Sequence, residues 1–175
     1  MHSINTQAFY RYSLLPFLLI SILLLSGCGF HLKHNNGLAD KVPEIYIKTN
    51  EPKSDLVRQV KLRLRGANIK ILTASSPDAA ILELQPERRS ERTISLYANA
   101  LNAEKEIGYT LNYSIKMPNY TEKEFHVNLY RDFLDNSSEA LAKSREAELL
   151  TTELRAIAAD HIITTMLSMN NEDGK

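Results

Sequence analysis

From Ile107 to Met117 the chain alternates: Ile107, Tyr109, Leu111, Tyr113, Ile115 and Met117 are separated by Gly108, Thr110, Asn112, Ser114 and Lys116. A period of two puts one set of side chains on each face of an extended strand. Pro118-Asn119-Tyr120-Thr121 then breaks the run with turn residues. A second alternation follows, with Phe125, Val127, Leu129 and Phe133 set against His126, Asn128 and Asp132. Two such runs around a short connection predict an antiparallel hairpin with one buried face. A sheet of that kind needs an apolar layer over that face, and the rest of the chain has to supply it.

Two amphipathic helices are the expected layer. Glu51-Pro52-Lys53-Ser54 opens the first, with Ser54 as N-cap. Leu56, Val57, Val60 and Leu64 share one face at helical spacing, and Gly66 is expected to close the helix in the C′ position. Asn136-Ser137-Ser138-Glu139 resembles a capping box, and a long helix is expected from there, or from nearer Ser144, to about Leu167. Its apolar face reads as Ala147, Leu150, Leu154, Ile157, Ala158, His161 and Ile162. Shorter strands complete the pattern: Val42 to Lys48 with Ile45 and Ile47 on one side, then Ile69 and Ile71, then Ala80, Leu82 and Leu84. After Pro86 the alternation resumes at Ile94 and Leu96. The order is β-α-β-β-β-β-α. The economical arrangement is α+β, a mostly antiparallel sheet with two helices packed on one face.

The N-terminus carries a different signal. After Arg11, Leu14 to Leu25 is apolar except for Pro16 and Ser21. That falls short of the roughly 20 residues a membrane span needs and fits a secretory signal segment. Leu25-Ser26-Gly27-Cys28 follows, and it resembles a bacterial lipobox. Cys28 is the only cysteine, which excludes an internal disulfide and a cysteine-based zinc cluster. Its thiolate can take a thioether-linked diacylglycerol. Cleavage before it frees an α-amino group for a further acyl chain, so Cys28 is the expected S-diacylglycerol and N-palmitoyl site. At about 0.8 kcal/mol per buried methylene, three chains hold a protein firmly on a bilayer. Gly29 follows instead of Asp, which by resemblance to enterobacterial-type lipoproteins directs the protein to the outer membrane of a Gram-negative envelope. The expected organisation is a signal peptide at 1–27, a lipidated tether at 28–41 containing Asn35-Asn36-Gly37, one α+β domain at 42–168, and a short flexible tail at 169–175. The mature chain is large enough to bury roughly 68–70% of its unfolded surface, so its core stands without disulfides.

Lys plus Arg and Asp plus Glu number 21 each, so the formal net charge is zero. That argues against nonspecific nucleic-acid binding, which needs a net basic surface. No Gly-x-Ser-x-Gly elbow, His-Glu-x-x-His or phosphate loop is present, so no catalytic residue, metal or cofactor is expected. His31 and His34 read as solvated tether histidines, and His161 as a core-edge histidine with one hydrogen-bond partner. Arg58, Lys61 and Arg65 form a stripe on the first helix that reads as a solvated, salt-bridged surface. Arg88, Arg89 and Arg92 in the segment Glu87-Arg88-Arg89-Ser90-Glu91-Arg92 are candidate partners for lipid phosphates, since guanidinium forks match that geometry. Lys143 and Arg145 flank the entry to the last helix.

The lipobox with Cys28-Gly29-Phe30-His31-Leu32 resembles the start of LptE, a family of lipopolysaccharide-export lipoproteins. The resemblance runs on through Ile94-Ser95-Leu96, Ala103-Glu104, Tyr109 to Ser114, the strand end Tyr130-Arg131-Asp132-Phe133-Leu134-Asp135-Asn136, Ala140-Leu141-Ala142-Lys143 and Arg155 to Ala159. It implies two helices on a four-stranded sheet. It also implies a domain seated one-to-one in the lumen of the LptD β-barrel, aiding barrel assembly and binding lipopolysaccharide on the way to the outer leaflet. Lys143 is the residue it carries over as a lipopolysaccharide contact, while the loop Tyr97 to Asn102 lacks the basic residue that relatives can carry there. A domain filling a polar lumen needs scattered apolar anchors, for which Tyr97, Tyr109, Tyr120 and Phe133 are candidates. The alternative is a freestanding outer-membrane lipid or lipoprotein carrier, which needs a deep apolar cavity; a cell-wall hydrolase would need paired acid/base residues at a convincing spacing.

Overall fold

The hairpin is the longest part of the sheet in the computed structural model, which describes residues 36–98, 102–118 and 120–169. Its strands are β5 (Asn102–Lys116) and β6 (Lys123–Leu134), antiparallel with Tyr113 opposite Phe125 and Leu111 opposite Val127. On the opposite edge of β5 lie two strands end to end, β3 (Ala80–Leu84) and β4 (Arg88–Leu96). Strand β1 (Glu44–Thr49) runs parallel to β3, and β2 (Lys70–Leu72) runs parallel to β1 at the far edge. The helices are α1 (Asn36–Lys41), α2 (Asp55–Gly66) and α3 (Ala140–Ser168), the last preceded by a 3₁₀ turn at Ser137–Glu139.

This is the mixed α+β class, but with six strands and three helices where the family resemblance implies four strands and two helices. Part of the difference lies at Pro86. Leu84 faces Tyr113 and Arg88 faces Thr110, so three residues of one strand span two of its partner. That is a β-bulge, at a proline that has no N–H to give the ladder. The extra residue also inverts the phase. Ala80, Leu82 and Leu84 face the core, whereas beyond the bulge Arg89 and Glu91 take that side, opposite Tyr109 and Ile107. The third helix is α1, which occupies the end of the segment read as a tether. The Leu38 side chain is fully buried, and the Lys41 ammonium reaches the Leu167 carbonyl at 2.9 Å. One buried leucine in a polar run is too weak a signal to declare a helix.

Ser54 caps α2, its Oγ accepting from the Val57 N–H at 3.3 Å, and Leu56, Val57, Val60 and Leu64 are buried. The helix does not end on a left-handed Gly66. Gly66 is its last helical residue, and Asn68 takes the positive φ of 59°. Asn136 caps the 3₁₀ turn through Ser138 N–H, so the capping signal precedes α3 by one turn. The core face of α3 is Ala147, Thr151, Leu154, Ala158, Ala159, Ile162, Ile163 and Met166. Ile157 and His161, expected on that face, are exposed. The stripe is rotated from the expected one, and it admits Thr151 because its hydroxyl donates to the Ala147 carbonyl at 2.8 Å. His161 still touches the core edge, with Nδ1 3.2 Å from the Tyr113 hydroxyl. Ile45, Leu82, Leu84 and Ile107 to Ile115 meet the buried residues of α2 and α3 in one core. Each fully buried leucine or isoleucine contributes about 1.5–3 kcal/mol.

Candidate functional site

The phase inversion at Pro86 has a chemical result. Past the apolar core, the helix side of the sheet turns charged, and the first turns of α3 lie over it. Between them is an open groove of about 560 Å³ lined by Arg89, Glu91, Lys105, Asp135, Lys143 and Glu148. Arg89 is delivered by the bulge, and Lys105 by the same alternation that buries Ile107. Lys143 comes from the N-terminal turn of α3.

Each cation already has a carboxylate. Arg89 Nη1 lies 3.2 Å from Glu148, and its other guanidinium nitrogen 3.9 Å from Glu91. Lys105 Nζ bridges Asp135 at 3.0 Å and Glu91 at 3.3 Å. Lys143 Nζ donates to Glu146 at 2.8 Å, within its own helix. The Asp135 hydrogen bond holds the Lys105 ammonium above the usual lysine range, and the same bond holds the Asp135 carboxyl below the usual carboxylate range. The Glu146 bond raises Lys143 likewise. Glu146 and Glu148 are well exposed and can swing out, whereas Asp135 is held at the floor. An incoming phosphate can therefore displace the two rim carboxylates and take Arg89 and Lys143, with Lys105 behind them.

The groove brings together only two of the four lipid-phosphate candidates, Arg89 and Lys143. The other two are on the opposite sheet face, because their even positions follow the bulge. Arg92 grips Glu106 in a two-point fork, at 2.6 and 3.2 Å, and the hydrogen bond raises its guanidinium further. Arg88 rims a separate groove whose wall carries Glu83, Glu122 and Glu124. Arg88, Arg89 and Arg92 are thus not one cluster. Cys28, His31 and His34 lie outside the described residues. Lys105 was missed, although stepping the alternation back from Ile107 puts it on the helix side.

A second network stands beside the groove. Glu87, in the bulge, accepts from the Tyr109 hydroxyl and from Arg155 Nε, both at 2.7 Å. Arg155 also reaches Glu148 at 3.4 Å and Asp55 of α2 at 3.7 Å. Burial, then Glu87, pushes the Tyr109 hydroxyl far above the usual tyrosine range. Burial works against the Arg155 charge, but Glu87 and Glu148 outweigh it. Tyr109 and Phe133, expected as surface anchors, belong to this interior: they are 1% and 7% exposed. Their alternation with polar residues put them on the helix side. Of the expected anchors Tyr97 is exposed, and Leu96, Tyr130 and Leu134 join it, each at least half exposed.

The model of the lipopolysaccharide-assembly family LptE matches residues 42–166. The chain belongs to the LptE family. An LPS-assembly lipoprotein LptE from Photorhabdus laumondii is 30% identical over 164 residues, covering 93% of this chain and 90% of its own. One from Yersinia pestis is 28% identical over 167 residues, covering 94% and 81%. The crystal structure of rare lipoprotein B from Shewanella oneidensis superposes with a TM-score of 0.68 at 35% identity. It covers 71% of this chain and 94% of that one. LptE membership extends over the bulge, the groove and the Arg155 network alike.

Proposed function

We propose that this LptE-family chain is a non-enzymatic outer-membrane lipoprotein, anchored through Cys28, that works with an LptD-type β-barrel to assemble lipopolysaccharide into the outer leaflet. It sits one-to-one in the barrel lumen as a plug and aid to barrel assembly, and it contacts lipopolysaccharide phosphates through Lys143 and Arg89. The observation that carries this reading is the family match over the whole folded domain. Several features support it. The sheet face away from the helices is polar, with Thr110, Asn112, His126 and Asn128, as a wall inside a hydrophilic lumen requires. Leu96, Tyr97, Tyr130 and Leu134 stud that end of the sheet as anchors. A freestanding carrier needs an apolar chamber, and the helix side of this sheet is instead filled by side chains.

The test is affinity purification of the lipidated chain from detergent-solubilised outer membranes, with mass spectrometry of its partners. One large barrel at about one-to-one, stable in high salt, is the expected result. A chain recovered alone overturns the reading. Within it, Lys143→Glu is expected to weaken lipopolysaccharide binding about tenfold while leaving barrel association intact, the loss of roughly one charge-assisted contact. Unchanged binding makes Lys143 a helix-entry surface charge.

A further inference from the structure

Helix α2 presents Arg58, Lys61, Leu62 and Arg65 outward at helical spacing, with Lys53 just before its cap, around a shallow surface hollow. Among the described residues, this stripe is salt-bridged only at Arg58. Arg58 pairs with Asp55 at 2.7 Å, and Asp55 is shared with Arg155. Among the described residues, no carboxylate lies within ion-pair distance of Lys53, Lys61 or Arg65. The neighbouring basic residues are engaged elsewhere, Arg63 with Asp160 and Lys70 with Glu44. Leu62, in the middle of these cations, is 64% exposed. A leucine flanked by Lys61 and Arg65, neither of which has a carboxylate partner among the described residues, suits an anionic surface with an apolar interior, and it is costly facing bulk water or other cations.

The position of the stripe says which surface. The C-terminal end of α2 leads through Ile69, whose N–H donates to the Leu64 carbonyl, into β2. The first N–H of β2, that of Lys70, donates to the Pro43 carbonyl between α1 and β1. Leu62 and Arg65 therefore lie toward the end of the domain where the chain enters it. Residues 29–35 connect Cys28 to Asn36, a span of at most about 28 Å when fully extended. Resting on the reading of Cys28 as the anchor, we propose that α2 docks through Lys53, Arg58, Lys61, Leu62 and Arg65 onto the anionic phospholipid headgroups of the leaflet that holds the acyl chains. The docked helix faces that leaflet at the mouth of the barrel and fixes the tilt at which the domain enters the lumen.

The test uses the mature lipoprotein reconstituted into phosphatidylglycerol-containing or pure phosphatidylcholine vesicles. A fluorophore goes on Gly66→Cys, where an added Cβ meets no atom within 4 Å. A control label goes on His126→Cys, on the other sheet face. Spin-labelled headgroups are expected to quench position 66, not 126, on phosphatidylglycerol only, and about 0.5 M salt is expected to relieve the quenching. Each basic residue near an anionic surface is worth about fivefold in the docking equilibrium, so Lys61→Glu with Arg65→Glu is expected to cut it by at least about 25-fold. Flotation separates the two readings. Protein that floats with both vesicle types is anchored; if position 66 is then quenched equally on both, or not at all, the docking proposal falls alone. Protein that floats only with phosphatidylglycerol supports docking and refutes the anchor, and protein that floats with neither refutes both. Unchanged quenching in the double variant, with loss of its barrel partner, assigns the face to that barrel and overturns the membrane proposal.

Discussion

The Glu87–Arg155 pair joins the bulge to α3, and its removal has a calculable cost. The Arg155 side chain is 14% exposed and that of Glu87 20%. Breaking a fully buried pair costs about 3–5 kcal/mol, and an exposed pair is worth about 0–1 kcal/mol. This one is mostly buried, and its Nε–Oε1 bond of 2.7 Å is charge-assisted. Arg155→Met keeps the aliphatic length and leaves Glu87 with the Tyr109 hydroxyl alone, for an expected loss of about 2 kcal/mol. Glu87→Gln still accepts from Tyr109, and Arg155 retains Glu148 and Asp55, so about 1 kcal/mol is expected. Once the arginine is gone, neutralising Glu87 removes an unpaired carboxylate and costs almost nothing. The double variant is therefore expected to be no less stable than Arg155→Met, a coupling of about 1 kcal/mol. Urea unfolding followed by far-UV circular dichroism is the assay, since the chain has no tryptophan. The urea dependence of the unfolding free energy should stay constant across the four proteins. Losses that simply add, giving about 3 kcal/mol in the double variant, refute the coupling and make the pair an incidental surface contact.

Three further outcomes follow from single positions. Asn68 is exposed at φ 59°, so Asn68→Val is expected to cost about 1–2 kcal/mol and Asn68→Gly to stay within about 0.5 kcal/mol, read from urea midpoints; equal effects would mean the residue does not hold that conformation. An added Cβ at Gly108 meets Ser90 Oγ at 2.5 Å, the movable end of a side chain, so Gly108→Ala is expected to cost about 1 kcal/mol and Ser90→Ala to recover most of it. Lys105 keeps the Asp135 carboxyl charged to a lower pH than in the unfolded chain. Its stabilisation is present above the ordinary carboxylate pKa of about 3.9 and lost as pH falls through the depressed folded value. Asp135→Asn is expected to flatten that acid limb, and an unchanged limb refutes the pairing.

What the sequence made legible was whatever follows a simple period. Ile107 to Ile115, Ala80 to Leu84 and Leu56 to Leu64 lie where alternation and helical spacing put them. What stayed hidden depends on events that a period does not record. The Pro86 bulge adds one residue, and that residue decides which arginines meet Lys143. A regular ladder of the same residues would point Arg88 and Arg92 at α3 and put Arg89 on the outer face opposite Gly108. Proline was visible as an interruption; its effect on phase was not, because a bulge is defined by the partner strand. The burial of Leu38 has a similar cause, since the floor it packs against is built from elements far along the chain. The charged groove is a product of register. Composition placed its residues in two surface runs, Glu87 to Arg92 and Lys143 to Glu148, each self-compensated. Packing α3 over β5 and β6 joins the runs through Arg89–Glu148, with Arg155–Glu87 beside it. A single-residue deletion at Gln85 should then separate two roles of this region. It leaves two residues opposite two, so the ladder runs without a bulge from Leu84 to Arg88 while Arg89 stays opposite Tyr109 in the groove and every side chain of α3 stays in place. Retained lipopolysaccharide binding in that variant, with the fold and barrel association intact, is the expected result; weakened binding would tie phosphate recognition to the bulge itself and not to the side of the sheet that Arg89 takes.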